Sequence, residues 1–424
     1  MINRAYISSL LFLVFALQVN ANIFDSEFVK KLAAMMTEVD SAYVEKSHYD
    51  WSVMLKNKIS REYISIDNAD AVSIDMQSHT SNKGGINVGW RFISGGISYD
   101  FNYQITDPDR KKEELGVSIF SQKFNADLVY RRTGGDYSIT KMKMHPDYPL
   151  GYNPTFEPGT PGYDDPNYSL SDAFKDLSNS EDISGSLIKT TTVGANLYYV
   201  FNNKRFSYPA AWSKSARQKI SAGSPLAGVG YTHQKIESSM YLFSMATALM
   251  LMMSEDDLGL AEYFDKYNET MKHSTLCTCM RFDDYTLWGG YAYNWVPARN
   301  FLVGASATLG VGVKHLSGNN DSFHETIKQL NEEFGEEPSA FTVPELYGYS
   351  GTIVDIDAVG RLSLMWNNDR LFGGARGSIN YYRYRNGSLP IKSDKLYWSA
   401  ELCFGFKFGE SKYWKQKKAA MGKM

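Results

Sequence analysis

The sequence predicts a transmembrane antiparallel β-barrel of about fourteen strands. Three observations carry that prediction. First, between Leu396 and Phe408 the side chains sort by parity. Leu396, Trp398, Ala400, Leu402, Phe404, Phe406 and Phe408 share one face; Tyr397, Ser399, Glu401, Cys403, Gly405 and Lys407 share the other. Side chains alternate along a strand, so this ribbon is apolar outside and polar inside, as a membrane barrel requires. Second, no run of about 18 apolar residues exists to form a membrane helix. The longest apolar stretch, 241–253, contains Ser244 and Thr247. Third, short turns alternate with long connections, the asymmetry of outer-membrane barrels.

In chain order, Arg4 precedes an apolar run from Ile7 to Leu17, and Val19-Asn20-Ala21 offers a small-residue cleavage site. Residues 1–21 therefore read as a secretory signal peptide. Residues 22–50 read as a periplasmic segment with a short helix. Ser26 is its cap, and Val29, Leu32, Met36 and Val39 form its apolar stripe. The barrel is expected over 51–408 and a basic periplasmic tail over 409–424, with Lys412, Lys415, Lys417, Lys418 and Lys423.

The first strand is expected over 51–66. Strands 85–92 and 96–105 flank a turn at Ser94-Gly95. Pairs follow at 115–121 with 124–132 and at 190–201 with 205–212. Strands 226–236 and 240–252 come next, then 285–295 with 301–313, 354–366 with 371–384, and 396–408. The total is fourteen; twelve is the alternative, since strand boundaries are the weakest part of such readings. Long connections fall at 133–189, 253–282, 314–353 and 385–395. Residues 145–168 hold six of the thirteen prolines, with Tyr148, Tyr152, Tyr163, Tyr168, Glu157, Asp164 and Asp165. Proline restricts the backbone, so an ordered cover is expected there. Within 322–335, Ser322 and Glu325 form a capping box, and Phe323, Ile327, Leu330 and Phe334 share a helical face. A second short helix is expected over 255–267.

Composition fits a barrel. Mean hydropathy is −0.35, but half of a barrel's strand residues face a polar lumen. The 29 tyrosines suit aromatic girdles at the membrane interfaces. A net charge of −3 gives no reason to expect nucleic acid. Cys277, Cys279 and Cys403 form no disulfide framework and supply too few ligands for zinc. No metal or cofactor is expected.

The segment Phe206-Ser207-Tyr208-Pro209-Ala210-Ala211, with Gln218 and Ser221-Ala222-Gly223-Ser224, is distinctive. It resembles a motif of uncharacterised outer-membrane β-barrel proteins from Bacteroides-like bacteria, a family catalogued as a domain of unknown function. Residues 40–45 look like that family's lead-in, residues 84–103 its first strand pair, and the aromatic last strand fits as well. The resemblance implies an outer-membrane barrel of unassigned activity, with no catalytic residues to carry over. It makes outer-membrane lipid and the barrel assembly machinery the expected partners. The chain departs from many such barrels in continuing beyond its final aromatic, Phe408. The proline of the motif is expected to mark a bulge, a strand end or a bend in the wall.

Parity also selects a charged interior: Arg91, Asp100, Asp127, Arg131, Asp355, Asp357, Arg361, Arg376, Glu401 and Lys407. Buried charges must pair or be hydrated, so these are expected either to plug the lumen or to select solutes by charge. Arg361 is the expected partner of Asp355 and Asp357. The favoured function is a narrow or gated pore for small polar solutes, or a plugged structural barrel. The alternative is a surface binding protein using the loops 145–168 and 314–353. An outer-membrane hydrolase ranks last, because His48, His79, His145, His233, His273, His315 and His324 form no recognisable triad or H-E-x-x-H pattern. His233 is expected to point into the lumen.

Overall fold

The computed structural model describes residues 36–68, 72–100, 112–133, 137–144, 188–213, 215–238, 279–319, 349–385, 391–411, 414, 415 and 418. Its strands are β1 (Val44–Lys46), β2 (Tyr49–Asn68), β3 (Val72–Ser78), β4 (Ser81–Trp90), β5 (Ile93–Asp100), β6 (Lys112–Phe120), β7 (Phe124–Thr133) and β8 (Tyr137–Met144). They continue with β9 (Ile188–Val200), β10 (Ala216–Gln218), β11 (Ala222–Ser238), β12 (Cys279–Ala298), β13 (Phe301–Asn319), β14 (Tyr349–Asn368), β15 (Leu371–Tyr384) and β16 (Ile391–Glu410). A short helix, α1 (Tyr208–Trp212), interrupts the series.

Twelve antiparallel strands close the barrel: β2, β4, β5, β6, β7, β9, β11, β12, β13, β14, β15 and β16. The seam is β16 on β2, with Lys407 opposite Ser52 and Asp394 opposite Ser65. On its other side β2 meets β4 along its first half and β3 along its second. β8 then adds to the outer edge of β3, and its Tyr137 hydroxyl shares a 3.1 Å hydrogen bond with Thr190 of β9. The fourteen-stranded sheet thus consists of a twelve-stranded wall and two extra strands at the long-connection end.

Several sequence expectations shift. Residues 205–212 form no strand; β9 pairs directly with β11. Pro209 removes a ladder donor, and Ser207 caps a helical turn instead, accepting from the Ala210 amide at 3.3 Å. Likewise β11 pairs directly with β12, and the strand expected at 240–252 lies outside the described residues. The first hairpin turns at Arg91 rather than Ser94-Gly95. Arg91 takes φ 53°, and Ser94 and Gly95 pair with Gly89 and Val88. The signal peptide, most of the 22–50 helix, the Pro/Tyr loop at 145–168, the helices at 255–267 and 322–335, and Cys277 lie outside the described residues.

The outer surface carries a belt of exposed apolar groups on alternate register positions. Leu309 is 70% exposed and Leu287 68%, values that water would not tolerate over a whole circumference. Trp51, Trp90 and Phe408 cluster where β2, β4 and β16 reach the short-turn end, with ring centroids 6.3–6.4 Å apart. Toward the opposite end the Tyr231 and Tyr285 rings pack at a tilt, centroids 5.1 Å apart. Aromatic groups at both margins of an apolar belt match the two interfaces of a bilayer. The 20-residue strands β2, β12, β14 and β16 exceed the roughly 9–11 residues a tilted strand needs to cross. They therefore project beyond the belt.

Candidate functional site: a stoppered, charged lumen

Along its axis the interior reads apolar, charged, apolar. At the long-connection end Ile64, Ile66, Ile74, Met76 and Ile139 are buried on one side, and Ile236, Phe282, Leu316, Ile353 and Tyr384 on the other. At the short-turn end a second apolar cluster includes Met54, Phe120, Leu226, Leu302, Met365 and Phe372 from the wall, with Phe206, Tyr208, Ala210, Ala211 and Trp212 inserted among them.

That insertion is the family-like motif. Residues 201–221 join β9 to β11 at the end where the other wall connections are tight turns, and the segment folds into the mouth as a stopper. All five residues of α1 are buried. Two inward arginines hold it. Arg361 donates to the Tyr208 hydroxyl at 2.9 Å, and Arg376 to the Trp212 carbonyl at 2.8 Å. The wall makes room for it at Gly304, where a Cβ would stand 2.7 Å from the Ala211 methyl and 2.7 Å from Ser363 Oγ.

Gln218 organises the rest of the segment. Its Oε1 accepts from the buried Ser207 amide at 2.9 Å, while Nε2 donates to the Arg205 and Ile220 carbonyls at 2.6 and 2.8 Å. Asn294 of β12 donates to the Ser207 carbonyl at 2.8 Å. Ser221 accepts from the Val296 amide, Ser224 accepts from the Asn202 amide, and Gly223 leaves space for the Tyr291 hydroxyl. Outside the mouth, β1 pairs with β10 and covers the segment like a strap. The Asp40 amide donates to the Lys204 carbonyl, and Lys204 pairs with Glu38 at 2.8 Å. The hydrogen bond from Lys204 holds the Glu38 carboxyl below its ordinary range.

Between the two apolar ends lies the charged layer. Glu114 accepts from Lys58 at 2.6 Å and has Lys83 and Arg131 at 3.5 Å. Arg131 also lies over the Tyr397 ring, 3.7 Å from its centroid. Glu62 pairs with Lys395 at 2.6 Å. Asp127 pairs with Arg361 at 3.2 Å, and Glu401 with Arg376. Nearer the long-connection end the fully buried Lys314 sits between Asp357 and Asp284, and Tyr384 donates to Asp284 at 2.6 Å. A cavity of about 300 Å³ remains among these groups, with Trp212 of the stopper on its lining.

Nine of the ten charges selected from sequence occupy inward register positions: Asp100, Asp127, Arg131, Asp355, Asp357, Arg361, Arg376, Glu401 and Lys407. Arg91 does not. It lies in the β4–β5 turn, 3.4 Å from Asp50, with 41% of its side chain exposed. Arg361 is not the counter-charge of Asp355 or Asp357. Asp355 takes the Arg385 amide at 2.8 Å and Arg383 at 3.7 Å, and Asp357 takes Lys314. Lys407 donates to Asn367 at 2.9 Å. His233 points outward, opposite the exposed Val193, because it shares parity with Val229 and Tyr231. Its ring lies 2.8 Å from Asp283, which also accepts from Tyr231.

Sequence reasoning missed Lys56, Lys58 and Glu62 inside the expected strand 51–66, and also Lys83, Glu114, Asp284, Lys314 and Lys395, each one or two residues beyond an expected strand end. Continuing the alternation outward would have found the last five, and applying it within 51–66 the first three.

Two other clusters stand out among the described residues. His315 lies beside Ser350 and Thr352 on the outer face, 3.3 and 3.1 Å away. A hydroxyl stands where a catalytic triad needs a carboxylate. Glu45, His48 and Asp369 bring ligand atoms within 4.8 Å of one another, but the Arg217 guanidinium already sits on Glu45.

A family model described as Domain of unknown function (DUF4421) matches residues 38–408. No curated protein matches the chain. Among solved structures, the chain is similar to the Pseudomonas putida toluene transporter TodX at 8% identity and a TM-score of 0.24, over 88% of this chain and 98% of that one. A TodX deltaS2S3 mutant monoaromatic hydrocarbon channel gives 8% identity and a TM-score of 0.27, over 85% and 91%. The translocator domain of autotransporter NalP from Neisseria meningitidis gives 8% and 0.25, over 85% and 88%. Likeness at that level leaves the function to be argued from the chain's own residues.

Proposed function

We propose that this chain, which belongs to the family described as Domain of unknown function (DUF4421), is an outer-membrane β-barrel acting as a gated pore for small polar solutes. The observation that carries this reading is the stopper. Helix α1 sits wholly inside the short-turn mouth, yet no strand ladder binds it to the wall. Side-chain hydrogen bonds and apolar contacts hold it there, and a polar cavity lies directly behind it. A segment seated by a few such bonds can leave without unzipping the barrel, because the twelve-stranded ladder closes without it.

The belt of exposed leucines and aromatics supports insertion in a bilayer. By the usual arrangement of such barrels the short turns face the periplasm, which places the stopper and the β1 strap on that side. A structural barrel with a permanent plug is the competing reading, and the two differ in one measurement. Residues 206–212 are replaced by a Gly/Ser linker and the protein is refolded into planar bilayers. A gated pore yields steady conductance in the replaced form and a largely closed unmodified protein. A replaced form that retains its β signal and heat-modifiable migration but conducts no more than the unmodified one would refute the pore.

A further inference from the structure

Resting on the pore reading, we infer that the cavity behind the stopper is a binding site for small anions of the phosphate or carboxylate class, with Lys56 as its free cation. Lys56, Lys58, Arg131, Arg361, Arg376 and Lys395 line the cavity. From the acidic side only Glu114, Asp127 and Glu401 line it. Glu62 stands behind Lys395 at 2.6 Å, and Asp100 lies across from Lys83 in the β4–β5 register. With those two carboxylates and Lys83 included, seven cations meet five carboxylates. Asp284, Lys314 and Asp357 form their own group toward the long-connection end.

The surplus has a definite location. Arg376 is committed to Glu401 and the Trp212 carbonyl, Arg361 to Asp127 and the Tyr208 hydroxyl, Lys395 to Glu62, and Lys58 to Glu114. Lys56 has no carboxylate within 4.0 Å and no hydrogen-bond acceptor among the described residues, although it faces the cavity two residues from Lys58 on the same strand face. Asn87, Ser118 and Asn380 line the same space and likewise have no partner among the described residues. An unpaired ammonium with uncommitted amides and a hydroxyl around it is a recognition set for an oxyanion. A cavity of about 300 Å³ is at the small end of ligand sites, large enough for phosphate or a short carboxylate. A dianion would cancel the surplus of two cations.

The test is calorimetric titration of the full chain in detergent with inorganic phosphate, with acetate, and with glycerol as the neutral comparison. Saturable binding of phosphate is expected, with acetate weaker and glycerol silent. Lys56→Met should weaken phosphate at least tenfold, and Lys56→Arg should restore it to within about threefold, because Arg keeps the charge. Each variant is first checked for its β signal and heat-modifiable migration. If the closed stopper slows entry, the same titration in a Gln218→Met background supplies access. The site is overturned if phosphate fails to bind in both backgrounds, if Lys56→Met binds as well as the unmodified protein, or if glycerol competes equally. Phosphate binding without conductance would remove the pore and leave the site. Conductance without phosphate binding would do the reverse.

Discussion

Gln218→Met is the sharpest probe of the stopper. Methionine fills nearly the same volume but neither donates nor accepts strongly. The substitution strips the Ser207 amide, in a fully buried residue, of its acceptor at 2.9 Å. The Arg205 and Ile220 carbonyls lose donors at 2.6 and 2.8 Å. An orphaned buried amide costs about 1–3 kcal/mol, and carbonyls that regain water cost less, so the seated stopper should lose about 2–4 kcal/mol. None of that loss falls on the strand ladder. At about 1.4 kcal/mol per factor of ten, the closed-to-open ratio should fall about 30- to 700-fold. Single-channel recording in planar bilayers reads that ratio as open probability, and urea unfolding from lipid vesicles checks that the wall is unchanged. An intact barrel whose open probability matches the unmodified protein would refute the argument that Gln218 seats the gate.

Other perturbations separate the remaining contributions. Gly304→Leu places atoms where the Ala211 methyl would stand 2.7 Å from its Cβ; it should raise conductance, and adding Ala211→Gly should partly reverse that. Lys314→Met leaves Asp284 and Asp357 without their buried cation, which should cost about 3–5 kcal/mol in equilibrium unfolding. The triple change with Asp284→Asn and Asp357→Asn should recover most of that loss. Leu309→Arg on the lipid face should cost about 2–4 kcal/mol in vesicle-based unfolding if Leu309 lies near the midplane. The inward Thr308→Ala carries no lipid penalty, so a loss from it as large as that from Leu309→Arg would contradict the assigned faces.

Alternation alone determined the fold class and the facing of most wall residues. In β13 and β16 a two-residue period separates groups that lipid accepts from groups that water or ion pairs require, and a slip of one residue would invert them. The same rule placed Asp127, Arg131, Arg361, Arg376 and Glu401 inside. Inside β2 polar groups on both faces, such as Asn57 and Lys58, blurred it, and it failed at strand ends, because hydrophobicity fades outside the membrane while the ladder continues. Lys314, Asp284 and Glu114 sit there, and so their pairing was invisible.

Tertiary structure alone decided the partners and the stopper. Asp127 and Arg361 are far apart in sequence, and only closure of the cylinder sets them 3.2 Å apart. Residues 205–212 look strand-like locally. Whether they join the wall depends on β9 finding β11 instead, and on an interior pocket of the right size, ringed by Gly304, Arg361 and Arg376, that buries five residues better than a membrane edge would. Local sequence encodes which face meets lipid, because that is settled residue by residue. What fills a closed cylinder is settled by every strand at once.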